Sequence, residues 1–456
     1  MSLTPFAPVF ILLLLIACAG LRGWVVATGI AVYFQAAAPF MIDAGGRFSG
    51  LMPSYGLLCI GLLHAVLYQL RISRRSGRGP DPATSATGWL IVFTVISVAG
   101  AVLLPRIFEG QADVLPPAYG MDTLFVERVH PSGRNSIQAF YLLCNLALFL
   151  LCRWVIRARL VSLQEAVRGL ALGAACSALL GLYQVVGYQL GWPWPHELIN
   201  SNSGVGQLYN QHAFGLQRMS STFLEPSLLG FHFLSAFALL GLGLRRRWIG
   251  ALLLICLLIS TSSSGYAGLL LLLPLALWIY RAQLDQRAVL GILLLLLLLG
   301  GAYLLDLLWL DGQVTNTFLT GKLSSTSGID RARTNAVAWH TLIDSWGLGV
   351  GVGSSRVSGL PMTLASTTGI PGLLCFIAFL TTLIRACLRR GDADGRAFAL
   401  AILAIAIVWT ISIPDLALPY AWVLCGFAAG LLTLPARAPT VASLALPETT
   451  ALPALS

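Results

Sequence analysis

LLLICLLISTSSSGYAGLLLLL, residues 252–273, decides the fold class. An apolar run, a short patch of hydroxyl residues and a second apolar run follow one another without a charge. Neither run alternates apolar with polar side chains. A barrel strand would do so over about ten residues, so these runs are not barrel strands. A helix of about 20 apolar residues covers the hydrocarbon core of a bilayer, and runs of this kind recur along the chain, as in GILLLLLLLGGAYLL at 291–305. Across 456 residues, 57% are hydrophobic and only 10% charged. That composition excludes a soluble globular domain. The expected class is all-α, a polytopic integral membrane protein.

Candidate spans fall near 5–21, 24–42, 50–70, 87–105, 136–156, 168–190, 223–244, 248–261, 264–280, 288–305, 361–386, 397–412 and 417–434. The N-terminal pair is the least defined, and the expected count is about 11–13. Residues 1–434 form one integral membrane domain, and 435–456 read as a disordered Ala/Pro/Thr-rich tail. The first run has no basic segment ahead of it, so it reads as a retained span and not a cleaved signal. The nine cysteines lie inside or at the ends of apolar runs without metal-ligand spacing, and read as packing residues.

The net charge is +10, and Lys322 is the only lysine, so the positive charge is essentially arginine. Arginines cluster at 71–78, 153–168, 245–247, 281–287 and 385–396. Placing those clusters in the cytoplasm puts the N-terminus outside and the C-terminus inside. Three substantial segments then face outward, near 106–135, 191–222 and 306–360. They hold Arg106, Arg128, Arg134, Arg218, Lys322, Arg331, Arg333 and Arg356. Scattered, these are loop charges. Converged on one pocket, they would form an anion site, because a guanidinium stays charged and takes phosphate oxygens bidentately. The chain has no Walker loop and no soluble catalytic domain, which weighs against an ATP-driven pump.

Three stretches are candidates for chemistry. In RMSSTFLEPSLLG, 218–230, Arg218 precedes a span that opens near Phe223, with Glu225 and Pro226 at its start. Proline is tolerated in a first helical turn, and a helix N-terminus stabilises a nearby carboxylate. Glu225 is either a cap ion-paired with Arg218 or a general base. Tyr209, Asn210 and His212 are polar neighbours in the preceding loop. The second stretch, ISTSSSGYAGLLLLL at 259–273, either satisfies freed backbone groups at a helix break or lines a polar pocket. The third is the long segment from Asp306. From Ser327, with Asp330 at capping-box spacing, it reads as a helix whose Ile329, Ala332, Ala336, Trp339, Ile343 and Trp346 recur at helical spacing. Arg331 and Arg333 stand near its start, as solvated charge or as a phosphate grip. GLGVGVGSSRVSGL, 347–360, follows without the strand–turn–helix setting of a dinucleotide fingerprint. Its glycines serve either an anion-binding nest or a re-entrant link.

In this order, Arg218 with F-x-x-P-S, then STSSSGYAGLL, then R-x-R…W…GLGVGVGSS…LASTTGIPGLL resembles the O-antigen ligase/polymerase superfamily of bacterial envelope enzymes. By motif the resemblance covers roughly residues 200–385. It implies a GT-C-like membrane glycosyltransferase, free of metal and cofactor, acting at the periplasmic face of the inner membrane on glycans linked to undecaprenyl pyrophosphate. Ligases of the superfamily carry a histidine shortly before the glycine of the last motif. Ser358 stands at that place here, and the nearest upstream histidine is His340. The resemblance therefore implies a polymerase of O-antigen or exopolysaccharide repeat units, with a ligase to lipid A core as the alternative.

On this reading Arg218 and Arg331, with Arg333 and Arg356, meet the pyrophosphate, and Glu225 takes the acceptor proton. Tyr209, Asn210, His212 and Ser358 are candidate substrate contacts. The implied partners are the lipid-linked glycan and the bilayer, with room for a polysaccharide co-polymerase that regulates chain length and none for nucleic acid. A transporter or flippase of lipid-linked sugars is the competitor from another class. It would show internal repeats and broken helices at the midplane, and no repeat relates the two halves of this chain.

Overall fold

The computed structural model describes residues 2–43, 48–71, 82–116, 125–213, 216–283 and 326–436, with the isolated positions 297, 304 and 308. The chain is mostly helical. Among the described residues the helices are α1 (Ala7–Cys18), α2 (Leu21–Ala31), α3 (Pro53–Arg71), α4 (Thr84–Ile107), α5 (Gly133–Arg157), α6 (Leu163–Leu190) and α7 (His196–Ile199). Then come α8 (Pro226–Ala236), which runs on as a π-helical stretch (Phe237–Gly243), α9 (Arg247–Ile259) and α10 (Ser263–Tyr280). The last four are α11 (Thr326–Asp344), α12 (Leu360–Arg389), α13 (Ala393–Ile411) and α14 (Pro419–Leu431). Short antiparallel patches pair β1 (Ser2–Leu3) and β3 (Phe48–Gly50) with β2 (Phe40–Asp43), β4 (Asp113–Val114) with β5 (Glu127–Arg128), and β6 (His212–Ala213) with β7 (Leu216–Gln217).

Among the described residues, seven helices are long and apolar enough to cross a membrane: α4, α5, α6, the Pro226–Gly243 run, α10, α12 and α13. This is the pattern of a multi-pass membrane protein. Apart from the isolated positions Leu297 and Leu304, the span expected at 288–305 lies outside the described residues, as does the tail beyond 436.

The apolar run 24–42 does not make a full-length helix, because α2 stops at Ala31. Beyond it the backbone finds partners in a second buried segment. The Ala36 N–H donates to the Thr222 carbonyl at 2.9 Å, and the Ala36 carbonyl accepts from the Asn202 N–H at 3.0 Å. The Thr222 hydroxyl donates to the Tyr33 carbonyl at 2.6 Å. Non-helical backbone survives at such depth only when protein satisfies it in this way.

Small residues let helices approach closely. A Cβ on Gly29 of α2 would stand 2.6 Å from the Gly169 carbonyl carbon of α6, and one on Gly426 of α14 would stand 2.7 Å from the Phe149 carbonyl oxygen of α5. The helices also sort their ends. Glu225 opens the Pro226–Gly243 run, while Arg245, Arg246 and Arg247 follow its other end. Ser358 precedes α12, while Arg389 and Arg390 close it. Arg390 donates to the carbonyls of Leu431, Leu434 and Pro435 at 2.7, 2.6 and 2.8 Å, and so caps the C-terminal end of α14.

The glycine-rich segment is a packed strap. Residues 347–353 thread between α4, α5 and α12, and α12 unwinds at Gly369 (φ 69°, ψ −174°) to receive them. The Val350 and Gly351 N–H groups donate to the freed carbonyls of Ser366 and Thr367 at 3.0 and 2.8 Å, and the Ile370 N–H returns a bond to Gly347 at 2.9 Å. Gly349 adopts φ +79°, and a Cβ there would stand 2.6 Å from the Gly369 nitrogen. The Val350 and Gly351 N–H groups are thus spent on α12, and this part of the segment is a packed contact.

Candidate active site

Segments far apart in sequence meet around one cavity of about 470 Å³ at the Glu225 end of α8. That volume suits a ligand of roughly drug size. Its walls carry Arg218, Glu225, Arg331, Arg356 and Ser358 of the residues expected from sequence, together with Ser262, Ser263 and Ser264 of the hydroxyl turn.

Arg218 leaves the β6–β7 ribbon, with its backbone N–H on the Gln211 carbonyl at 2.8 Å. Its Nε donates to the Thr261 hydroxyl at 3.0 Å, its Nη2 to the Thr261 carbonyl at 3.1 Å, and its Nη1 to Gln211 Oε1 at 2.6 Å. Of the five N–H groups on a guanidinium, those three are fixed by protein and two remain for a ligand. Burial pushes its pKa down, while the Glu225 charge pushes back. A guanidinium stays protonated in proteins regardless, so the cavity holds a partly desolvated fixed cation.

Glu225 occupies the N-cap position of α8 with extended backbone (φ −156°, ψ 160°), and Pro226 follows at the first helical position. Its side chain makes no capping hydrogen bond. Among the described residues it makes no direct ion-pair contact with Arg218, whose hydrogen bonds go to Thr261 and Gln211, although its charge acts on that guanidinium. The expected cap with an ion pair is therefore not what the carboxylate does. It accepts from the Ser227 hydroxyl and keeps acceptor capacity on the cavity wall.

The hydroxyl turn serves both purposes considered for it. Ser262 caps α10, accepting from the Gly265 N–H at 3.2 Å, and its hydroxyl lies 3.1 Å from that of Ser264. The same residues line the cavity, and Thr261 anchors Arg218.

The described part of helix α11 runs from Thr326, so Ser327 lies inside the helix and Arg331 sits beyond the first turn, away from the most positive end of the dipole. Asp330, Arg331 and Thr334 face the cavity. The Arg331 Nη1 reaches the Ile411 carbonyl at 3.4 Å, and the Thr334 hydroxyl lies 2.6 Å from that of Ser358. Asp330 was read from sequence as a capping partner of Ser327. The earlier start of the helix removes that role, and its carboxylate lines the cavity instead. It stands directly before Arg331, which is the one signal that could have singled it out.

Arg356 lines the cavity but is already engaged. Its Nε and Nη2 grip Asp415 Oδ1 and Oδ2 at 3.3 and 3.0 Å, and its backbone N–H meets the Leu115 carbonyl at 2.8 Å. Asp415 lies in the short link between α13 and α14, where a lone carboxylate beside Pro414 was the overlooked signal.

The other expected contacts stand outside the cavity lining. Arg333 is exposed on α11, two residues past Arg331 and so turned well away from it. Asn210 is exposed, the Tyr209 carbonyl accepts from Gln217 Nε2 at 3.3 Å, and the His212 ring rests 5.1 Å from Tyr188. Among the described residues no group of three or more His, Cys, Asp or Glu side chains is gathered for a metal ion.

The chain matches no protein-family model and no curated protein sequence.

Proposed function

We propose that the chain is a bacterial inner-membrane glycosyltransferase of GT-C-like architecture, with about 11–13 spans and a long periplasmic loop over 306–360. It polymerises oligosaccharide repeat units of O-antigen or exopolysaccharide carried on undecaprenyl pyrophosphate. The observation that supports this reading is the meeting of Arg218, Arg331 and Glu225 in one cavity. The arginine clusters at the far ends of the same helices favour placing the cavity outside the cytoplasm.

Arg218 and Arg331 hold the donor pyrophosphate. Guanidiniums fixed in advance stabilise the charge that develops on the leaving group, a task that a divalent ion performs in many phosphate enzymes. Glu225 accepts the proton of the acceptor hydroxyl. That oxygen bonds to the donor's C1 while the C1–O bond to pyrophosphate breaks. The bonding electrons leave with undecaprenyl pyrophosphate, and attack from the opposite face inverts the anomeric centre. Asp330 offers a second carboxylate for sugar hydroxyls, and Arg356, held by Asp415, braces the wall that carries Ser358. No histidine is among the lining residues, and His340 is exposed on α11, which favours a polymerase over a ligase.

The test is to mix the purified protein with its native undecaprenyl-pyrophosphate repeat unit in EDTA and resolve the products on a gel. A ladder spaced by one repeat is expected. Transfer only when lipid A core is added would make the protein a ligase. Lipid-linked sugar crossing proteoliposome membranes without any transfer would replace the enzyme with a flippase.

A further inference from the structure

Helix α11 keeps an apolar strip on its outward side, which a helix in water does not. The face buried against the protein mixes hydroxyl and apolar groups, Thr334, Ala338, Thr341 and Leu342, with Ser345 just past its end. Thr341 donates to the Asp113 carbonyl of β4 at 2.6 Å, Ser345 accepts from the Gly349 N–H at 3.0 Å, and Thr334 meets Ser358. The face turned outward is apolar. Ile329, Trp339 and Ile343 are 59%, 55% and 54% exposed and recur at helical spacing, with Ala332 and Ala336 exposed between them. A third line beside it, also exposed, holds Arg333, His340 and Asp344. One helix thus presents a protein side, an apolar side and a charged side. That is the division expected of a helix lying in the plane of a membrane interface.

The apolar side is continuous with the bilayer-facing surface of the spans. Past the end of α11, Trp346 is 81% exposed and packs edge-on against Phe108 after α4, with ring centroids 6.1 Å apart. Gly347 then bonds Ile370 of α12, and Ile370, Leu374 and Ile377 carry the exposed apolar band down that helix. Tryptophan gathers at such boundaries because its ring has an apolar body and a polar N–H.

We propose that α11 is an interfacial helix. Its Ile329–Trp339–Ile343 face lies in the headgroup–acyl boundary of the leaflet on the cavity side, and Arg333, His340 and Asp344 lie in water. Because the same helix delivers Asp330, Arg331 and Thr334 to the cavity, this seating fixes the cavity at headgroup depth, where a lipid-borne anion presents its phosphates. It also accounts for the placement of Arg333, which belongs to the water line and not to the cavity. The seating goes beyond the glycosyltransferase reading and does not depend on it.

The test uses the full chain in phosphatidylcholine vesicles, with a coumarin-bearing amino acid incorporated by stop-codon suppression at position 343, 339 or 340. All three positions are exposed, so the label does not disturb the core. The expected result is that labels at 343 and 339 are quenched by lipids bearing a nitroxide near the headgroup, and the label at 340 by aqueous iodide. The preference should differ by at least about twofold between the two faces. Equal iodide quenching at 343 and 340 would place the apolar face in water and overturn the proposal. Quenching of 343 and 339 by neither agent would mean that protein, such as a second copy of this chain, covers that face, and would overturn it as well. Normal seating together with loss of donor transfer would leave this proposal standing and count against the reaction alone.

Discussion

Glu225 and His232 belong to the same helix, seven residues and therefore about 10 Å apart along its axis. Both are ionisable side chains in an apolar run, a combination that by default marks function. Their surroundings differ. His232 is 1% exposed, and its ring lies among Phe223, Tyr420, Phe231 and Tyr33 at centroid distances of 4.4, 5.0, 5.1 and 6.0 Å. Its Nδ1 donates to the Leu228 carbonyl at 2.8 Å. It is a packing residue: its Nδ1 is consumed one turn back on its own helix, and its ring is walled in by aromatic neighbours and stands outside the cavity lining. Among the described residues Glu225 has one hydrogen-bond partner, the Ser227 hydroxyl, makes no capping bond and lines the cavity. What separates the two groups here is that Glu225 keeps acceptor capacity on a cavity wall and His232 does not stand on that wall. Polarity within a greasy helix does not separate them.

The largest test of that contrast is Glu225→Gln. Removing a general base should lower turnover about 10²–10⁴-fold while donor affinity is kept, as read by single-turnover transfer at saturating donor. Arg331→Ala comes next. Losing charge-assisted hydrogen bonds of about 1.5–3 kcal/mol each should weaken donor binding about 10–100-fold. His232→Phe keeps the ring stack and loses one hydrogen bond. It should cost about 1 kcal/mol of stability, seen in thermal unfolding in detergent, with turnover per folded molecule unchanged. Arg333→Ala should leave both donor affinity and turnover as they are. Loss of turnover in a well-folded His232→Phe protein, with Glu225→Gln active, would reverse the comparison.

The helical membrane class was legible in sequence because bilayer-length apolar runs admit few other structures. So were five of the cavity residues, Arg218, Glu225, Arg331, Arg356 and Ser358, because they are ionisable or hydroxyl groups on the segments that the arginine clusters leave facing outward. The pairing of segments was not legible. Spacing along a helix says which residues share a face but not which other segment meets it, so the Asp415 grip on Arg356 and the Thr261 grip on Arg218 had no signature. The early end of α2 was hidden for the same reason, since its continuation finds hydrogen bonds near residues 202 and 222. The capping role expected of Asp330 fails because Ser327 already lies inside the helix. The alternating glycines suggested a ligand loop, yet they let the chain pass within contact of α12, an approach that only a missing side chain permits.

The most direct test of the central claim is equilibrium binding of undecaprenyl pyrophosphate to the wild-type protein, Arg331→Ala and Arg333→Ala, measured side by side in one lipid. The two arginines lie two positions apart on one helix and carry the same charge, so bulk electrostatics treats them alike. A cavity that binds pyrophosphate predicts affinity lost about 10–100-fold in Arg331→Ala and retained in Arg333→Ala. Equal affinity in all three proteins, or an equal loss in both variants, would contradict it.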